Sequence, residues 1–304
     1  MIADFRRIPV MASVWTRLRG HQEQRALFER SLRNGRLSHA YVLAGPAGIG
    51  KRLFARLLAQ SLFCTAATPG RLDACGECRN CRSFDSGNWP DYFEIGLPEG
   101  KTEIPLDLIL GSSEKRGREG LCYELSSAPL ASERRIAVID DAQRMNLDGG
   151  NALLKTLEEP PAHVVFVLAT TEWHKVPITI RSRCQPFQFK RGSLQDLMSA
   201  VQRVITAEGY TADEEAVMAV ARGAEGSWRD ALSLLEQVVA YSEGHISAET
   251  VHKAIGSVGN ESLSQIVAAI ASGEMERVLA VAGEVAESGT DIRQVLTTLS
   301  GYLR

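Results

Sequence analysis

The chain has 304 residues, 44% of them hydrophobic and 23% charged, with a formal net charge of -3. That is an ordinary composition for a globular protein with room for two or three domains, and it excludes a global electrostatic pull toward nucleic acid, so any DNA contact must come from a local patch or from partners. No apolar run reaches the roughly 18 residues of a membrane span, and "MIADFRRIPVMASVWTRLRG" lacks the pattern of a signal peptide, so a cytoplasmic protein with no membrane partner is expected.

In chain order, Arg6, Arg7, Arg17 and Arg19 come first. They could touch phosphate, although a solvated basic face is the plainer reading. "QEQRALFERSLRNG" (22–35) predicts a helix stopped by Gly35, and "AYVLA" (40–44) predicts a buried strand. Next comes "GPAGIGK", in which Gly45, Gly48, Gly50 and Lys51 fit the G-x-x-x-x-G-K phosphate loop. Strand before and helix after are the context that motif requires. The glycines let backbone N–H groups close around phosphates, the helix N-terminus adds positive potential, and Lys51 reaches the outer phosphates. An ordinary Gly-rich strand–helix turn is the competing explanation.

The pattern breaks at Arg52, where Ser or Thr normally supplies an oxygen to Mg²⁺. Arginine has five donors and no acceptor. Nucleotide can still bind, with ATP the candidate, but productive Mg²⁺ is not expected. "RLFARLLAQSLFC" (52–64) then continues as a helix.

Cys64, Cys75, Cys78 and Cys81 give C-x10-C-x2-C-x2-C, a spacing that suits a tetrahedral structural Zn²⁺ in a small knuckle inserted after the phosphate-loop helix. Free thiols or a redox pair are the alternatives. Cys122 and Cys184 stand apart and read as small buried residues.

"IAVID" (136–140) predicts a second strand, ending at Asp140 and Asp141. The first carboxylate can hold Mg²⁺ through water and the second can orient an attacking water. Glu is commoner there, and Asp141 falls short by about 1.5 Å. An acidic pair capping a strand is the bland alternative. "GGNALLKTLEEPP" (149–161) is a helix ended by two prolines, and "VVFVLA" (164–169) is a third strand. Strands alternating with helices argue for an α/β fold with a parallel sheet covered on both faces. Beyond Arg191 the strand signal fades into helices stopped near glycines.

"HAYVLAGPAGIGK", the four cysteines, "VIDDAQRMNLDGGNALLKTLEEPP", "FVLATTEWHKVPITIRSRC" and "GSWRDALSLL" occur in that order. Together they resemble the clamp-loader subunits of bacterial DNA polymerase III, over about 1–255. The resemblance implies an AAA+ nucleotide-binding α/β domain (1–190, zinc module at 64–81), a helical lid (191–256) and the start of a helical collar (257–304). The chain stops inside an amphipathic pattern, so the collar is expected to be small or cut short. The implied partners are the other loader subunits (gamma/tau, delta), the sliding clamp and, through the complex, primed DNA.

By the same resemblance, Arg183 in "SRC" is an arginine finger reaching a neighbour's ATP, against the plain reading of a helix-end arginine binding carbonyls. Arg181 beside it is structural. Thr170 and Thr171 fall where the family senses the γ-phosphate, or are turn residues. Arg229 matches a lid arginine that contacts nucleotide in cis, or pairs with Asp230 or Glu225. His21 falls where the adenine pocket begins, or is a solvated helix-start residue. Arg52 and Asp141 favour a delta prime-type stator with little ATPase of its own. The phosphate loop and "GSWRDALSLL" keep a gamma/tau-type motor as the alternative.

Overall fold

The computed structural model describes residues 13–242, 244–255, 260–287, 296, 299 and 300; Arg6 and Arg7 lie outside them. The chain divides into two compact units between Ser193 and Leu194, three residues beyond the expected boundary at 190.

In the first unit, α1 (Gln22–Arg33) leads to β1 (Ala40–Ala44), α2 (Lys51–Phe63) and α3 (Arg79–Asp85). Then follow β2 (Tyr92–Ile95), α4 (Leu106–Leu110), α5 (Leu121–Ser126), β3 (Arg135–Ile139), α6 (Leu147–Glu158), β4 (Val164–Thr170), α7 (Ile178–Arg181) and β5 (Gln185–Gln188). The five strands form one sheet in the order β2-β3-β4-β1-β5, with every pairing parallel. The three expected strands are its centre. β1, β3 and β4 are buried along their whole length, as strands covered on both faces must be.

Side chains of β1 alternate between two layers. Ala40 and Val42 join Ile109, Leu125, Leu153 and Phe166 in one layer. On the other, Tyr41 packs against Phe28 and Phe187, and Phe54 of α2 against Phe28 and Phe189, with ring centroids 4.6–5.7 Å apart. Each buried ring of this kind stabilises the fold by about 1.5–3 kcal/mol. This aromatic layer seats α2, and with it the phosphate loop, on the sheet.

The β2–β3 edge is pinned by a buried carboxylate. Asp91 accepts backbone N–H bonds from Leu130 (2.7 Å), Ala131 (2.7 Å) and Ser132 (2.8 Å), and Arg135 Nε lies 3.6 Å away. Burial would raise the Asp91 pKa, but these donors outweigh it and hold the carboxyl below its ordinary value. The Asp91 carbonyl receives the N–H of Ile136, which sets the register of β2 on β3.

The second unit is helical: α8 (Leu194–Ala207), α9 (Glu214–Gly223), α10 (Trp228–Ala240), α11 (Ala248–Ile255), α12 (Asn260–Ser272) and α13 (Met275–Glu287). Leu197, Val201, Val217, Val220, Leu235 and Val238 centre the core of its first four helices. Two short strands, β6 (Thr211–Ala212) and β7 (His245–Ile246), pair in parallel and tie the start of α9 to the start of α11. α12 and α13 pack on each other. Most of 288–304, where the collar was expected to continue, lies outside the described residues. Among the described residues no helix is long and apolar enough to cross a membrane.

Candidate functional site

β1 ends at Ala44, the chain turns through 45–50, and α2 starts at Lys51. The turn is tight enough to need glycine: a Cβ on Gly45 would run into the Phe189 carbonyl, and Gly50 sits at φ 90°. Lys51 is only 7% exposed. Its Nζ donates to the carbonyls of Gly45 (2.8 Å) and Pro46 (2.6 Å), so the ammonium lies inside the loop. Strand, glycine turn and helix N-terminus thus stand together as the sequence pattern requires.

Arg52, on the first turn of α2, forms ion pairs through Nε with Glu94 of β2 and, at 4.0 Å, with Asp140 Oδ2 at the end of β3. Glu94 is braced from two further sides, by the Tyr92 hydroxyl (2.7 Å) and Arg56 (3.0 Å). Burial works to raise the Glu94 pKa, but these partners hold it below its ordinary value. Asp140 moves the other way, raised by burial and by the neighbouring Asp141 carboxylate. A guanidinium therefore occupies the region in which a divalent ion would need oxygen ligands, and the residues present do not fit Mg²⁺. Glu94, Tyr92 and Arg56 were not singled out from sequence. The available signal was a charged residue inside the short aromatic run "YFEI".

Asp141 has a left-handed backbone, φ 52°, unusual for a residue with a side chain. Its carboxylate accepts from Gln143 Nε2 at 2.9 Å. The same amide's oxygen accepts from the Thr170 hydroxyl (2.8 Å) and the Thr171 N–H (3.3 Å). Gln143, also missed from sequence, ties the second acidic residue to the end of β4. Asp140, Asp141, Thr170 and Arg52 are brought to the C-terminal edge of the sheet beside the loop.

His21 is not a freely solvated helix-start residue. Its Nε2 lies 2.7 Å from the Ile49 carbonyl in the loop, and its ring packs on Phe189 at 4.6 Å. Arg183 donates to the Thr179 carbonyl (2.7 Å) and pairs with Glu158 (2.7 Å), and its side chain is 34% exposed. Arg181 stacks over Trp173 at 5.3 Å, a structural contact as expected. Arg17 pairs with Asp85 (3.2 Å), and Arg19 is exposed. Arg229 lies at the start of α10 in the second unit, where it is exposed; no ion pair joins it to Asp230 or Glu225 among the described residues.

The four cysteines converge. Their sulfurs lie within 4.8 Å of one another, with Cys64–Cys75 at 3.7 Å and Cys64–Cys78 at 3.9 Å. Zn–S bonds of about 2.3 Å in a tetrahedron place sulfurs about 3.8 Å apart, so the set fits such an ion. Cys64 closes α2 and Cys78 caps α3. N–H groups of Cys75, Cys78 and Cys81 point at sulfurs at 3.2–3.4 Å. Burial pushes the Cys78 thiol up, but hydrogen bonds from Cys81 and Thr65 prevail and bring it down to about 6; burial pushes Cys81 up. The cluster can hold a metal ion. Cys184 is buried as expected, and Cys122 is partly so.

Comparison with known proteins adds kinship to this geometry. Residues 20–193 match the family described as DNA polymerase III, delta subunit, and 196–244 match the DNA polymerase III clamp loader subunit ATPase lid domain. The chain is 36% identical over 273 residues to DNA polymerase III subunit tau of Escherichia coli (strain K12), covering 88% of this chain and 40% of that protein. It is 31% identical over 270 residues to DNA polymerase III subunit gamma of Buchnera aphidicola subsp. Acyrthosiphon pisum, covering 88% and 71%. The chain thus spans about two fifths of the E. coli tau subunit it matches. Among solved structures, the Thermotoga maritima RuvB Holliday junction branch migration motor superposes with a TM-score of 0.54 at 17% identity, covering 93% of this chain and 86% of that one. At that identity the likeness speaks to fold alone: an α/β unit followed by helices.

Proposed function

Because the chain belongs to the DNA polymerase III clamp-loader subunit family, we propose that it is a gamma/tau-related loader subunit with weak ATP turnover of its own, acting on a neighbour's ATP through Arg183. The delta prime expectation yields on kinship, since the curated relatives above are named tau or gamma. What that expectation said of chemistry is retained. The observation that carries it is Arg52, which stands where the loop motif has a metal-binding hydroxyl and pairs with Glu94 and Asp140. Asp141, engaged by Gln143, is a second obstacle to hydrolysis. A delta prime-type stator remains the second reading, favoured by those same two residues.

The partners proposed are the other loader subunits, the sliding clamp and primed DNA, in the cytoplasm. The four cysteines would hold Zn²⁺, which would supply a tetrahedral crosslink between the end of α2 and the start of α3. Arg183 suits action in trans because its side chain is partly exposed in the link between α7 and β5 and needs no intact site on its own chain.

The test is Mg²⁺-dependent ATP hydrolysis by the isolated protein. The expected rate is about a hundredfold below that of a gamma/tau relative under the same conditions, the scale of loss that follows misplaced catalytic groups. An equal rate would make the chain a motor.

A further inference from the structure

We propose that Arg52 is the resident cation of a two-carboxylate site formed by Glu94 and Asp140, and that the loop therefore takes a nucleoside triphosphate without a divalent ion. The proposal rests on the nucleotide-binding reading of the loop and adds Glu94 and the metal dependence to it.

The geometry is that of an ion between two carboxylates. Arg52 Nε is in direct contact with Glu94 Oε1 and 4.0 Å from Asp140 Oδ2. Glu94 cannot easily turn away, because its side chain is 13% exposed and held by the Tyr92 hydroxyl and Arg56. Both ion pairs use Nε. A guanidinium carries five N–H groups, so the four on the terminal nitrogens stay available, and the side chain is 60% exposed. Such a fork suits phosphate oxygens. Arg52 lies on the first turn of α2, beside Lys51 and the positive end of the helix. The phosphates would then meet three positive features supplied by the protein.

A divalent ion entering the same place would find a like charge and no hydroxyl at position 52. Replacing Arg52 with threonine changes both at once. It removes the cation that Glu94 and Asp140 share, leaving Glu94 paired with Arg56, and puts an oxygen ligand on the first turn of the helix. Metal dependence should therefore appear by one substitution, and Glu94 should contribute to it.

The experiment is a fluorescence titration with N-methylanthraniloyl-ATP, in EDTA and in excess Mg²⁺, on the full protein and on Arg52→Thr and Arg52→Thr/Glu94→Gln, with thermal melts to confirm folding. The wild type should bind with affinities within about twofold of each other in the two buffers, and Arg52→Thr should bind about tenfold or more tighter with Mg²⁺ than without. The double variant should lose most of that preference. A wild type that needs Mg²⁺, an Arg52→Thr variant indifferent to it, or a double variant with the full preference would overturn the proposal. So would absence of binding in both buffers, and that result would leave the clamp-loader reading to be judged separately by clamp loading.

Discussion

Replacing Arg183 with alanine is expected to lower ATP turnover at the neighbouring subunit's site by about a thousandfold, the lower end of what a trans-acting arginine supplies in phosphoryl transfer. The expectation follows from where the residue sits. It lies two residues past the end of α7, in the short link to the edge strand β5, and its side chain is partly exposed. Its partners on this chain are the Thr179 carbonyl, the Ser182 hydroxyl and Glu158. Those contacts orient the guanidinium without burying it. An exposed ion pair of this type contributes about 0–1 kcal/mol, so the variant should fold and melt nearly as the wild type does. The readout is single-turnover hydrolysis in an assembled loader. Unchanged turnover would reduce Arg183 to a helix-end residue that satisfies carbonyls.

Cys78→Ser is expected to release about one equivalent of zinc and to lower the melting temperature by roughly 10 °C. Cys78 is at once a cluster member, the N-cap of α3 and the acceptor of the Cys81 N–H. Structural zinc contributes folding free energy directly, about 10–16 kcal/mol in isolated finger peptides. Here the sheet and its aromatic layer form a core of their own, so a local loss of about 3–5 kcal/mol is expected, at about 2–4 °C per kcal/mol for a domain of this size. The effect should spread to the loop, because α2 runs from Lys51 to Phe63 and the cluster begins at Cys64. Metal analysis with calorimetry decides it. Protein isolated without metal and melting like the variant would remove zinc from the account.

The centre of the sheet was legible in the sequence and its edges were not. β1, β3 and β4 are continuous apolar runs because both their faces are covered. β5 reads "QPFQ", with a proline that an edge position tolerates and only Phe187 buried. β2 reads "YFEI", half-buried throughout, with a charge inside it. The cysteine cluster was legible because its four cysteines fall within one short segment. Arg52 was legible as a departure from a motif, but its partner Glu94 lies 42 residues away. Only the sheet order brings β2 beside β3, and Asp140 near both. Gln143 was hidden for a similar reason, since its contacts, Asp141 on one side and Thr170 and Thr171 on the other, belong to different strand ends. The subunit type is the case in which local chemistry and kinship diverge. Arg52 and Asp141 favour a stator, while the relatives' names favour gamma/tau. The proposed gamma/tau-related subunit with weak turnover of its own satisfies both.

The most direct test of the central claim is clamp loading onto primed DNA by a loader reconstituted with and without this protein. Loading should fall sharply on omission and return when the wild-type protein is added back. Loading that proceeds equally well without it would contradict the assignment to the clamp loader.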